Sequence, residues 1–146
     1  MTDPGDDPHD LARFLQAQRG AYGTALAELQ AGEKPSHWMW FVFPQMAGLG
    51  HSTMARRYAI RSLGEARAYL DHPVLGERLH GATLAVLEHR TRSLRRIFGY
   101  PDDRKFVSSM TLFAHAADDD AQPCERALHL FHGGKFDQRT VELLGA

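Results

Sequence analysis

Apolar side chains recur along this chain at intervals of three and four, the spacing that gathers them on one face of a helix. Leu11, Phe14 and Leu15 share such a face. Ahead of them stand Asp7, which can cap, and Pro8, suited to a first helical position. Tyr22, Ala25, Leu26 and Leu29 follow the same rhythm, and Gly32 supplies a stop. Ser62 and Glu65 have capping-box spacing ahead of Ala66, Tyr69 and Leu70. Pro73 opens a longer segment that carries Leu75, Leu79, Ala82 and Val86.

The second half repeats this grammar. Ser93 precedes Leu94, Ile97 and Phe98, and Gly99 closes the turn. Asp102 and Asp103 follow Pro101, where carboxylates suit the cap and the positive end of a helix bearing Phe106, Met110 and Phe113. Cys124, Ala127, Leu128 and Phe131 form another stripe that ends at Gly133-Gly134, and Asp137 caps a last helix with Val141 and Leu144. No strand or hairpin pair stands out. The pattern predicts an all-α fold: a single compact domain of six to eight short helices over residues 8–146, behind a flexible acidic tail at 1–7. Phe14, Leu26, Leu79, Phe113, Leu128 and Phe131 are its expected core.

Residues 38–43, Trp-Met-Trp-Phe-Val-Phe, break the rhythm because they are apolar on every side. Periodicity alone does not separate a buried helix from a buried strand there. Ser36 as a cap, Pro44 as a terminator and the lack of a partner strand favour a short helix. Each buried aromatic contributes roughly 1.5–3 kcal/mol, so the block is core material. Aromatic walls beside a few polar groups also make small-molecule pockets. His37, Gln45, His51 and Ser52 supply such a rim, and Gly48 and Gly50 loosen the backbone between them.

The 146 residues carry a formal net charge of −1, which gives no general attraction to nucleic acid or to acidic membranes. One cysteine excludes an internal disulfide and fits a reducing compartment. The acidic start lacks the apolar segment of a signal peptide, and residues 38–43 are far too few to span a bilayer. A cytoplasmic protein is expected, with neither membrane nor nucleic acid as partner.

Familiar chemical motifs are absent: no P-loop, no Gly-x-Gly-x-x-Gly, no His-Glu-x-x-His, no Gly-x-Ser-x-Gly. Cys124 sits on an apolar stripe and reads as a small hydrophobe rather than a nucleophile. His129 and His132 can share a helix face, but with only Glu125 nearby they fall short of a metal's three or four ligands. No metal and no cofactor is expected. His89, Arg92 and Arg96 share a face if that segment stays helical, with Arg90 and Arg95 alongside. Such a cluster can hold a phosphate, although balanced charge elsewhere favours a solvated face. Ser108, Ser109 and Thr111 are mediocre helix formers within a helix, so they serve close packing or face a polar cavity. Lys105 lies three and four residues before the serines, the spacing of a Ser–Lys pair, though packing is the favoured reading.

These residues nominate a site without naming a reaction. His37, Trp38, Trp40, Gln45 and His51 form one candidate wall; Asp102, Asp103, Lys105 and Ser108 form the other. The expected partner is an unidentified small molecule, and the alternative is a noncatalytic protein- or anion-interaction module.

Strung together, Ser36-His37-Trp38-Met39-Trp40-Phe41-Val42-Phe43-Pro44-Gln45, then Gly48-Leu49-Gly50, make a specific signature. With them come Tyr58-Ala59-Ile60, Ala68-Tyr69-Leu70, His72-Pro73, Leu75-Gly76, Phe98-Gly99, Pro101-Asp102-Asp103 and Ser108-Ser109-Met110-Thr111-Leu112-Phe113. The set resembles the uncharacterised bacterial family named domain of unknown function 1810, from about Pro8 to Leu144. That resemblance implies a compact all-helical domain and brings no catalytic residue. Some members carry the label calpastatin, but that inhibitor is a disordered repeat protein and the folded pattern here does not match it. Val42 and Phe106 stand where the family often has isoleucine and leucine, and both keep the apolar character.

Overall fold

The longest helix, Asp102–Ala116, buries ten of its residues, including the whole run from Phe106 to Ala114. A helix covered on nearly all sides belongs at the centre of its domain, and the others are arranged around it. The computed structural model describes residues 7–118 and 123–145. Among these the chain is all-α, with α1 (Ala12–Gln18), α2 (Tyr22–Ala31), α3 (Met39–Val42), α4 (Thr53–Arg57) and α5 (Leu63–Asp71) in the first half. The second half holds α6 (Leu75–Leu87), α7 (Leu94–Phe98), α8 (Asp102–Ala116), α9 (Pro123–His132) and α10 (Gln138–Leu143). The tail expected over residues 1–7 lies, Asp7 apart, outside the described residues. No helix among them is long and apolar enough to cross a membrane.

The ten helices among the described residues exceed the expected six to eight because α3 and α4, at four and five residues, are too short to show a period. The central α8 packs on α5, α7, α9 and α10, while α6 packs on α2, α5 and α9. Phe14, Leu79, Phe113 and Leu128 are buried as expected, and Leu26 and Phe131 are partly buried against them. Phe43 lies edge-on to both Phe98 and Phe106, so the aromatic block of α3 joins α7 and α8 in the core.

Local capping explains several helix starts. Ser62, Ser93 and Asp137 accept from amides three residues on, at 3.0, 3.1 and 3.0 Å. Asp7 accepts from the amides of Leu11 and Ala12. Two expected caps are not made. The residue before α3 is Trp38 rather than Ser36, whose amide donates instead to the Glu28 carboxylate at 3.2 Å. Pro101 occupies the cap of α8, and Asp102 is its first residue, accepting from no backbone amide of the first turn. Ser36 stands two residues before the cap position of α3, and Lys34 claims the Asp102 carboxylate. Glu65 likewise leaves its half of the capping box for Arg13.

That arginine is a clamp. Its guanidinium, 7 % exposed, pairs with Glu65, 2 % exposed, at 2.7 Å. It also donates to the carbonyls of His9, Asp10, Arg57 and Ala59, fastening α1 to the segment between α4 and α5. A single parallel bridge lies beside it: the Ile60 amide donates to Gln45 O at 2.9 Å, and the Ala47 amide donates to Ile60 O at 2.8 Å. A fully buried charge costs free energy unless paired and hydrogen-bonded. Arg13 meets both conditions.

Candidate functional site

The two candidate walls do meet, around a residue the motif does not contain. Lys34 follows α2, and its side chain is only 3 % exposed. Its ammonium donates to Asp102 Oδ2 at 2.7 Å and to the Ser36 carbonyl at 2.7 Å, and it lies 4.9 Å from the centre of the Trp38 ring. Asp102 shares its other oxygen with Lys105 at 3.2 Å, and Lys105 lies 5.5 Å from the centre of the Trp40 ring. Trp38 donates through Nε1 to Glu28 at 2.9 Å. Burial raises the Glu28 pKa, but hydrogen bonds from Ser36 and Trp38 and the charge of Lys34 outweigh that effect and hold it below the ordinary value. Each of these polar groups has a partner. The assembly is a clasp between the α2–α3 connection and the start of α8, with Trp40 and Lys105 half-buried at its edge.

The remaining candidates lie elsewhere. His37 and His51 are exposed, and Ser52 caps α4 by accepting from the Ala55 amide. Ser108 is buried and donates to the Arg104 carbonyl, so no Ser–Lys pair forms; the Lys105 ammonium is on Asp102. Thr111 donates to Val107 O and accepts from the Asp137 amide, which ties α8 to the start of α10. The buried Ser109 hydroxyl has no hydrogen-bond partner among the described residues. Cys124 is buried on α9, and burial pushes its thiol up to about 12, far from a thiolate at neutral pH.

The basic stripe dissolves as well. Helix α6 ends at Leu87, so His89 and Arg92 fall in a turn. There His89 meets Gln30 O at 2.8 Å, and Arg92 donates to Gly32 O at 3.1 Å. Gly32 itself has φ +78°, and a Cβ there would sit 2.9 Å from the Arg92 guanidinium. The cluster is a latch on the end of α2.

Gln45 and Asp103 each line a hollow, but not the same one. Gln45 borders a cavity of about 130 Å³ with Met46, Ala47, Gly48, Gly50, Arg56 and Arg61. Asp103 borders a cleft of about 480 Å³ between α7, α8 and the α9–α10 connection. The cleft floor is Leu94, Val107 and Phe131, and its rim includes Arg95, Arg104, His132 and Asp137. Arg95 and Arg104 both lie against the exposed Tyr100 ring, at 5.3 and 5.2 Å. Asp137 is occupied by the amide and hydroxyl of Thr140. Arg95 and Arg104 supply the donors of the rim, and Asp103, which accepts from the Arg104 amide at 2.9 Å, adds a carboxylate.

The family described as "Protein of unknown function (DUF1810)" matches residues 8–144, nearly the whole chain and every part of this geometry. The chain belongs to the DUF1810 family. Its fold is also that of a solved structure, the conserved hypothetical protein Rv1873 from Mycobacterium tuberculosis. The match has a TM-score of 0.93 and 52% sequence identity, and covers 96% of this chain and 99% of that one. No curated protein matches.

Sequence reasoning on this DUF1810 chain missed Glu28, Lys34, Arg56 and Arg61. Glu28 lies on α2 and Lys34 just before the aromatic block, where neither breaks a pattern. Only their tertiary partners mark them. Arg56 and Arg61 were within reach, since they bracket the Tyr58-Ala59-Ile60 element of the signature.

Proposed function

We propose that this domain binds a small organic molecule in the cleft between α7, α8 and the α9–α10 connection. The observation that carries the proposal is an apolar floor of Leu94, Val107 and Phe131 beneath a polar rim drawn from separate helices. At about 480 Å³ the cleft falls in the usual size range of ligand pockets, about 300–1,000 Å³. Such sites combine apolar walls with a few placed polar groups that fix orientation. Asp103 stays in the proposed site. Trp38 and Trp40 act behind it, through the clasp that seats the first turn of α8. A ligand with a compact apolar body and an acceptor-rich edge suits the arginine-bearing rim.

The test is a metabolite panel read by thermal shift and confirmed by titration calorimetry. At least one compound should protect the protein, and Val107→Trp, which fills the floor, and Arg104→Ala should each weaken it tenfold or more. A panel without any hit, or a hit that binds Val107→Trp unchanged, overturns the proposal.

The interaction-module reading has one observation in its favour: Leu130 and Phe136, each 45 % exposed, are chain neighbours of the cleft residues Phe131 and Asp137. Capture of a specific partner that Leu130→Ser abolishes would favour it.

A further inference from the structure

A different hollow carries a sharper chemical argument. We infer that the cavity behind the Gln45–Gly50 loop is a binding site for one tetrahedral or planar oxyanion, a phosphate or carboxylate group. Alternation along the Met46–Ile60 bridge sets its geometry. Met46 and Ile60 face each other and are buried, so the residues on either side must point the opposite way. Those neighbours are Gln45, Ala47, Ala59 and Arg61; all four line the cavity, and the buried Met46 reaches its wall as well. Arg56, on α4, closes the same space.

The lining has one sign of charge. It contains two guanidinium groups and a primary amide, and no carboxylate. Neither the Arg56 nor the Arg61 guanidinium has a hydrogen-bond or ion-pair partner among the described residues, whereas Arg13, Arg78 and Arg92 are all engaged. Arg56 and Arg61 are both exposed, so water screens their mutual repulsion, and an anion seated between them is attracted by both charges. Guanidinium forks match the paired oxygens of phosphate and carboxylate, and the Gln45 amide adds two more donors.

Small residues keep the space open. A Cβ at Gly50 would come within 2.6 Å of the Ala55 methyl, so the loop lies flush on α4 only with glycine there. Gly48 has φ +101°, a conformation that other residues rarely adopt. The volume, about 130 Å³, accommodates an oxyanion but not a nucleoside attached to it, so any larger ligand presents only its charged head. This site is separate from the cleft proposed above, and the two stand or fall independently.

The experiment is a titration of the intact chain with inorganic phosphate and, in parallel, with acetate, followed by amide chemical shifts at low ionic strength. Saturable shifts centred on residues 45–50 and 59–61 are expected. They should weaken at least tenfold in the Arg56→Gln/Arg61→Gln variant and persist in Arg95→Ala, which alters the cleft. Gln45→Ala, which keeps both charges, should weaken binding less than the double variant does. Saturation by phosphate alone supports the site and assigns it a phosphate head group; saturation by acetate assigns a carboxylate. Shifts with neither anion overturn the inference. So do shifts spread evenly over the basic surface, or shifts unchanged in a double variant whose spectrum shows the native fold.

Discussion

Removing the Asp102 side chain separates two accounts of the start of α8. If the carboxylate were a helix cap, Asp102→Ala would cost about 0.5–2 kcal/mol. In the structure it is instead the counter-ion of Lys34, whose side chain is 3 % exposed. Removing one member of a buried pair typically costs roughly 3–5 kcal/mol, because the other charge stays buried without compensation. Asp102 is itself 19 % exposed, and Lys34 keeps the Ser36 carbonyl and the Trp38 ring. The expected loss therefore lies at the low end, about 3 kcal/mol. The second partner, Lys105, is 26 % exposed and adds only about 0.2–1 kcal/mol. Urea unfolding followed by tryptophan emission is the assay, since Trp38 and Trp40 adjoin both lysines. Adding Lys34→Met to Asp102→Ala removes the stranded charge and should restore a large part of the loss. A cost below about 1 kcal/mol, with no recovery on adding Lys34→Met, matches a cap and refutes the counter-ion account.

Three further outcomes follow from other parts of the fold. Asp137→Ala should cost about 0.5–2 kcal/mol in the same assay, because its carboxylate receives both the amide and the hydroxyl of Thr140. Gly76→Ala should cost about 1–3 kcal/mol, since a Cβ there would run into the Leu70 carbonyl of the backbone; an unchanged denaturation midpoint would show that α5 and α6 can part freely. Cys124 is protonated in the fold up to about pH 12, while in the unfolded chain it ionises near its ordinary value of 9.0. Its contribution is complete below that value and lost as pH rises, by up to about 1.4 kcal/mol per pH unit. Wild type should therefore lose stability between pH 9 and 10 faster than Cys124→Ala does, and equal slopes would contradict the burial of the thiol.

The helices that carry a period of their own were legible in the sequence. Tyr22 to Leu29, Leu75 to Val86 and Cys124 to Phe131 each show a stripe, and Ser62, Ser93 and Asp137 cap as local spacing implies. What failed was any assignment that a distant residue overrides. Asp102 has the sequence position of a cap, yet Lys34, sixty-eight residues away in the chain, holds its carboxylate. Ser36 resembles a cap, yet α3 is capped two residues later at Trp38, whose indole Glu28 holds. The candidate site shows the same division. The convergence of the aromatic block with residues 102–105 was readable from chemistry that needs pairing. Its outcome as a packed clasp was not, because whether space is left over depends on Phe43, Phe98 and Phe106 fitting against one another.

The Arg13 clamp bears on the order in which this chain can assemble. Its guanidinium joins partners 44, 46 and 52 residues downstream in a single stroke. One side chain thus closes three nested loops, and because closure entropy grows only slowly with length, most of that cost is met once. The same economy imposes a wait. In the order of synthesis α1 precedes its distant partners: the carbonyls of His9 and Asp10 are at hand, but Arg13 has no counter-ion until Glu65 has followed it out. A helical protein made largely of local contacts therefore carries a long-range checkpoint in α1, and a nascent chain that stops short of Glu65 can seat α1 on α3 but leaves Arg13 without its counter-ion.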